Sequence, residues 1–496
     1  MRESGILLPV FSLPSPNGIG CFSREAYQWV DFLEKAGQHY WQILPLGPTS
    51  FGDSPYQSFS TYAGNPYFID LETLVKEKLL TRAQVRAADM GDDERYIDYG
   101  KLYRQRMPLL KKAYRKSQKT PDPDFTAFWT KNAWWLDDYA LFMAVKDVFG
   151  GASWDRWAED IRCRWDNAIW YYKETYKEEV GFYAWLQYIF AKQWRALKDY
   201  ANEKGVKIIG DLPIYVAYDS ADVWAHPELF QLKDDRTPAA VAGCPPDGFS
   251  ADGQLWGNPL YRWEHHRNTG YVWWIGRIEQ CFQMYDVVRI DHFRGFDEYY
   301  SIPAGDRTAV NGHWEKGPGM ELFRAVENRL GKKEIIAEDL GYMTDSVRRM
   351  VKESGYPNMK VLEFAFDARD SSGSNDYLPH NYDTNCVAYT GTHDNETVLG
   401  WLSSITKAEK KAIRVYLNRP DATDRELAQE LVRTAVSCVA RLAVIPIQDY
   451  LGLDNAARIN FPSSLGDNWR WRMKKEDLAK GLEKEIGGLC RLYGRV

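Results

Sequence analysis

Short apolar runs recur along the chain at GILLPV (5–10), YWQILPLG (40–47), VKIIGDLP (206–213), VVRIDH (287–292), EIIAEDLG (334–341), MKVLEFAF (359–366), CVAYTGTHD (386–394) and AVIPIQDY (443–450). Unbroken runs of this length, without a polar residue at every second place, are what strands covered on both faces look like. Between most of them the apolar spacing becomes helical. After Ser23, a good N-cap, the residues Ala26, Trp29, Val30 and Leu33 share one face and Gly37 ends the pattern. Thr344 opens another helix that stops at Gly355, and the stretch 178–204 runs as a third into Gly205, just before a strand.

Strands alternating with helices pair in parallel, and eight such units predict an α/β fold of the (β/α)8 TIM-barrel type. In that fold the chemistry sits at the C-terminal ends of the strands. The spacing is uneven: about 160 residues separate the second and third runs, where an ordinary unit needs roughly 30. The segment 70–180 is charged and Trp-rich with helical patterns, and predicts an inserted helical subdomain between two barrel portions, 1–69 and 181–496. A second long gap, 214–285, contains GCPPDGFSADGQLWGNPLY and predicts a long active-site loop, with a lid at 240–262.

Several of the runs end in an acid: Asp211, Asp291, Glu338 followed by Asp339, Asp394 and Asp449. Carboxylates gathered at one mouth repel, so their pKa values separate, one group holding its proton while another stays ionised. Cleavage of a glycosidic bond needs that division of labour. Arg289, two residues before Asp291 on the same side of the strand, keeps that aspartate ionised and suits it to nucleophilic attack. Glu338 has the longer reach and follows an apolar run, which suits a proton donor. His292 and His393 can donate to sugar hydroxyls, and Asp394 can accept from a hydroxyl pair and steady positive charge. The pairs Asp291–His292 and Asp394–His393 also offer metal donors. Adjacent strand residues face opposite ways, however, and HxH and HExxH are both absent, so neither a metal nor another cofactor is expected.

The aromatic share of 15%, with 20 Trp, 31 Tyr and 21 Phe, exceeds what a core of this size normally uses; the rings fit either large packed helices, as WWLDDYALF (134–142) suggests, or a groove where they stack on flat ligands such as sugars. A net charge of −6 argues against nucleic acid. No window approaches the roughly 18 apolar residues of a membrane helix, the N-terminal MRESGILLPVFSLP lacks a signal core, and the scattered cysteines look reduced, so a cytoplasmic protein is expected.

Seven ordered segments add a resemblance: SPYQSFSTYAGNPYF (54–68), IIGDLPIYVAYDSADVW (208–224), PPDGFSADGQLWGNPLY (245–261), VVRIDHFRGF (287–296), IIAEDLG (335–341), YTGTHDNETVLGW (389–401) and NWRWR (468–472). Together they resemble the amylomaltase or disproportionating-enzyme family of 4-α-glucanotransferases, in the α-amylase superfamily. The resemblance implies a retaining transglycosylase acting on malto-oligosaccharides, amylose or glycogen-derived glucans, with glucose as an acceptor. It makes Asp291 the nucleophile, Glu338 the acid/base and Asp394 the transition-state stabiliser. It places Tyr56, Asp211, Arg289 and His393 around the attacked glucose, Gln254, Trp256 and Asn460 on the acceptor side, and Phe249 on the lid. RINFPSSLGDNW (458–469) departs from the MNxPG form associated with the family. The absence of an extra N-terminal domain and of a plastid leader is what a bacterial member implies. Two other readings use the same residues: an α-1,4-glucan hydrolase of the α-amylase type, and a glucan-binding protein without turnover.

Overall fold

The computed structural model describes residues 2–246, 250–341, 343–367, 373–462, 464 and 466–496. In chain order its strands are β1 Glu3–Leu7, β2 Tyr40–Gln42, β3 Lys207–Leu212, β4 Ala240–Cys244, β5 Gln254–Pro259, β6 Val287–Ile290, β7 Glu298–Pro303, β8 His313–Lys316, β9 Ile335–Ala337, β10 Asn358–Val361, β11 Cys386–Tyr389 and β12 Leu442–Pro446. Eight of them close a parallel barrel in the order β1-β2-β3-β6-β9-β10-β11-β12, with β12 returning to β1. These eight are the apolar runs of the sequence.

Their continuous hydrophobicity has a structural reason. Leu7, Tyr40, Ile209, Val287, Ile336, Met359, Val361, Val387, Tyr389, Leu442 and Val444 form one buried cluster drawn from every barrel strand, and it fills the cylinder. The alternate residues, among them Ile6, Trp41, Ile208, Val288, Ile335 and Ile445, belong to a second cluster shared with the surrounding helices. Both faces of each strand are therefore apolar, as a barrel requires. This alternation fixes the site. On β3 and β6 the residues following Ile209 and Val287 on the inner face are Asp211 and Arg289, paired in register at the C-terminal rim.

The helices read from the sequence form with their caps. Ser23 accepts from the Glu25 N–H at 3.3 Å and opens Arg24–Lys35. Thr344 accepts from Val347 N–H at 3.3 Å and opens Asp345–Ser354, which ends at Gly355 in the left-handed region at φ +67°. Between β2 and β3 the chain is helical: Leu71–Lys76, Arg82–Arg86, Tyr99–Ser117, Pro123–Val148 and Asp166–Thr175 precede Lys177–Glu203, which leads directly into β3. Apolar side chains of these helices, such as Leu110, Leu136, Phe142 and Trp185, lie in the same continuous core as the barrel's outer face.

The segment 240–262, expected as a lid loop, contains two strands. Within 240–262, β4 and β5 form an antiparallel hairpin, and β4 pairs with β7 in a four-stranded sheet of order β5-β4-β7-β8. Gly and Pro between the two strands carry a loop-like composition, while the strands themselves are short and draw their partner β7 from beyond β6, out of reach of local pattern reading. No helix among the described residues is long and apolar enough to cross a membrane. All seven cysteines are free thiols.

Candidate active site

At the rim the barrel exchanges its apolar filling for charge. Arg289 is buried, its side chain 4% exposed, and its Nη1 donates to both oxygens of Asp211 at 2.8 and 2.7 Å. Its Nη2 faces outward to Asp291, 3.1 Å from Oδ1, and lies 4.0 Å from Oε2 of Glu338. One guanidinium thus neutralises a fully buried aspartate below and serves two more carboxylates above. A planar fork with separate nitrogens can do this, and an ammonium cannot. Burial pushes Asp291 up to about 6: Arg289 opposes the rise, and the charges of Asp211 and Asp394 add to it.

Glu338 follows β9 directly. Its Oε2 accepts the His292 N–H at 2.6 Å and its Oε1 the Leu340 N–H at 2.8 Å. Burial raises it to about 7; Arg289 lowers it, Asp291 raises it, and the two N–H groups favour its ionised form. The two neighbouring carboxylates are therefore both poised near neutrality, with Glu338 the one that holds a proton to higher pH.

Asp394 lies on the turn after β11. Asn460 Nδ2 donates to its Oδ1 at 2.7 Å, and His393 Nε2 lies 3.3 Å from its Oδ2. Burial works to raise this group, but His393, Asn460 and Arg289 outweigh it and hold the carboxyl well below the usual range. His393 in turn is raised: burial opposes this, and the charge of Asp394 prevails. Tyr56 completes the wall. Its hydroxyl donates to Asp211 Oδ2 at 2.8 Å and lies 2.8 Å from His393 Nε2, with the two rings stacked at 5.2 Å. The chain Arg289–Asp211–Tyr56–His393–Asp394 is thus continuous.

The structure gathers Asp291, Glu338, Asp394, Arg289, Asp211, Tyr56, His292, His393 and Asn460 around this mouth. The residues that the resemblance grouped as the acceptor side come from two segments of the chain. Asn460 contacts Asp394, whereas Gln254 and Trp256 are on β5, where Trp256 Nε1 donates to Gln254 Oε1 at 3.0 Å and its ring meets His292 edge-on at 4.9 Å. Phe249 lies outside the described residues. His292 is lowered to about 3 by burial and by Arg294.

Two strand-end acids do other work. Asp339 accepts from Asn358 Nδ2 at 2.9 Å and from Met359 N–H at 3.1 Å, fastening β10. Asp449 accepts from Val398 N–H at 2.9 Å and from the Thr390 hydroxyl, anchoring both ends of the turn that carries Asp394. Sequence reading missed Arg458, whose Nη2 donates to the Asp394 main-chain oxygen at 2.9 Å and whose Nε donates to that of Asn460 at 2.7 Å. Its place two residues before Asn460 was the available signal. Among the described residues no three of His, Cys, Asp and Glu gather as a metal-binding group.

Residues 8–478 match the family described as 4-alpha-glucanotransferase. The chain belongs to this family. It is 49% identical over 488 residues to the 4-alpha-glucanotransferase of Clostridium butyricum, covering 98% of this chain and 99% of the relative. It is 47% identical to that of Thermus thermophilus, covering 96% of each. An amylomaltase from Streptococcus agalactiae, solved in complex with acarbose, shares 42% identity and superposes over the whole of both chains with a TM-score of 0.96. The protein is accordingly an enzyme of the 4-alpha-glucanotransferase class with a (β/α)8 barrel, and these names favour transfer over the hydrolase reading.

Proposed function

We propose that the chain moves segments of α-1,4-glucan between malto-oligosaccharides by two displacements at one anomeric carbon. Asp291 attacks that carbon while Glu338 gives its proton to the departing glycosidic oxygen, leaving a β-glucosyl ester on Asp291. The 4-hydroxyl of a second glucan then attacks, Glu338 takes its proton, and the α-linkage is restored. The observation that carries this reading is the single Arg289 nitrogen set between Asp291 and Glu338, at 3.1 and 4.0 Å. It brings both carboxylates to one nitrogen, which is compatible with the close spacing of roughly 5 Å that a retaining pair needs.

Asp394, anchored by Asn460 and His393, stays ionised and faces the positive charge that develops on the sugar ring. Tyr56, Asp211 and His393 bind its hydroxyls. Trp256 and Gln254 on the lid, together with Phe249, meet the acceptor sugar, and Asn460 supports the site through Asp394. Rings that cover the ester and bind a sugar tightly favour a glucan hydroxyl over water. Amylose, glycogen-derived glucans and malto-oligosaccharides are the donors in this reading and glucose serves as an acceptor, in the cytoplasm.

Incubation with maltotriose tests the reaction. Transfer gives free glucose together with a ladder of longer maltodextrins; shorter products alone would mean hydrolysis and sink the proposal. The rate also depends on pH in a predictable sense. Asp291 attacks only when ionised, so kcat/KM climbs as pH rises through about 6. Glu338 donates only when protonated, so it falls as pH rises past about 7. The expected profile on maltotriose is a narrow bell between those values, and a plateau extending well above neutrality would contradict the assignment of Glu338.

A further inference from the structure

The ladder between β6 and β9 is regular until it reaches the rim. Val288 N–H donates to Glu334 O at 3.0 Å, and Glu338 N–H donates to Ile290 O at 3.1 Å. Another step of the same parallel ladder assigns the His292 N–H to the main-chain oxygen of Glu338. The structure departs from it there. Phe293 N–H takes that oxygen, at 2.9 Å, and the His292 N–H is released to the side chain of Glu338, 2.6 Å from Oε2.

The chain has slipped by one residue, and the slip is made at His292, which sits in the left-handed region at φ +49°, ψ +48°. Few side chains enter that region without cost. The turn is packed in place, since a Cβ added at Gly295 would come within 3.0 Å of His292 Cδ2 and 2.7 Å of Ile214 Cδ1. The imidazole itself turns away to stand edge-on to Trp256, and its Nε2 is buried with no protein hydrogen-bond partner.

We propose that His292 is a positioning residue whose left-handed turn lends a main-chain N–H to the Glu338 carboxylate, and that this N–H, more than the imidazole, is its contribution to acid–base catalysis. The inference rests on Glu338 being the acid/base. An N–H aimed at a carboxylate stabilises the ionised form. Glu338 must both give and take a proton, and burial alone would leave it too reluctant to release one. The other groups facing it from the described elements are Arg289 and Asp291 on and after β6, the Leu340 N–H, and Tyr377. Each carboxyl oxygen keeps a second lone pair, so the proton still has a place to sit.

Variants of His292 separate the main chain from the ring. Glycine enters the left-handed region freely and asparagine readily, whereas valine strongly resists it. We expect His292→Gly, His292→Asn and His292→Val all to lose turnover through loss of the ring. The basic limb of the kcat/KM profile stays in place for the first two and moves upward by about one pH unit for valine. His292→Ala, with a milder penalty, shifts it by an intermediate amount and serves if the valine variant does not fold. A limb that moves as far with glycine as with valine or alanine overturns the inference, as does one that moves with none of them. Residual activity of Glu338→Gln identifies the limb. If the limb persists there, the acid/base reading falls, and if it vanishes there yet ignores the glycine–valine contrast, only the role of His292 falls.

Discussion

Asp291→Asn is expected to abolish both glycosyl-enzyme formation and transfer, lowering kcat by at least about 10⁴-fold. The amide keeps the shape of the side chain and its place above the Arg289 nitrogen 3.1 Å away, but it cannot form the ester. It also removes the negative charge that helps hold Glu338 near 7, so Glu338 titrates lower in this variant. Malto-oligosaccharide binding by calorimetry should persist close to the wild-type affinity, because the groups assigned to hydroxyl contacts are untouched. Transfer retained within tenfold of wild type would remove Asp291 from the nucleophile's role.

Arg289→Met is expected to cost both rate and stability. The residue carries no proton in the reaction, yet its loss strands Asp211, whose side chain is wholly buried, without its cation, and leaves Asp291 and Glu338 facing each other unscreened. Removing one partner of a buried ion pair typically costs about 3–5 kcal/mol. With Asp291 driven toward its protonated form at neutral pH, kcat should fall about 10³-fold or more. Lysine offers one point of charge where two nitrogens are used, so Arg289→Lys should recover part of the stability and little of the rate. Urea unfolding and maltotriose kinetics measure the two effects separately. Unchanged unfolding in the methionine variant would show that Asp211 finds its balance elsewhere.

The barrel was legible in the sequence because its strands are apolar on both faces and alternate with helical patterns. The places of Asp291, Glu338 and Asp394 at one rim were legible for a related reason: the first two directly follow apolar strands, and the third lies on the turn after another. Across-strand pairing was not. Arg289 read as the partner of its near neighbour Asp291, while its closest contacts are with Asp211, set beside it by the β3–β6 register. The same limit hid the duties of Asp339 and Asp449, which resemble the proposed catalytic acids in sequence position but accept from main-chain N–H groups and from the side chains of Asn358 and Thr390. The lid strands were concealed because their sheet is completed by β7, some way along the chain. The turn at His292 was not legible, since histidine, though commoner than most side chains in the left-handed region, is still found there in only a small minority of cases.

In the proposed mechanism, the pairing of the 240–262 hairpin with β7 bears on how the ester is partitioned between sugar and water. A sheet edge keeps its form when empty, so little order must be created when the second glucan arrives. The competition is then decided by how well each acceptor fits a cradle that already exists, and not by how fast a flap can close, so the ratio of transfer to hydrolysis should be indifferent to solvent viscosity.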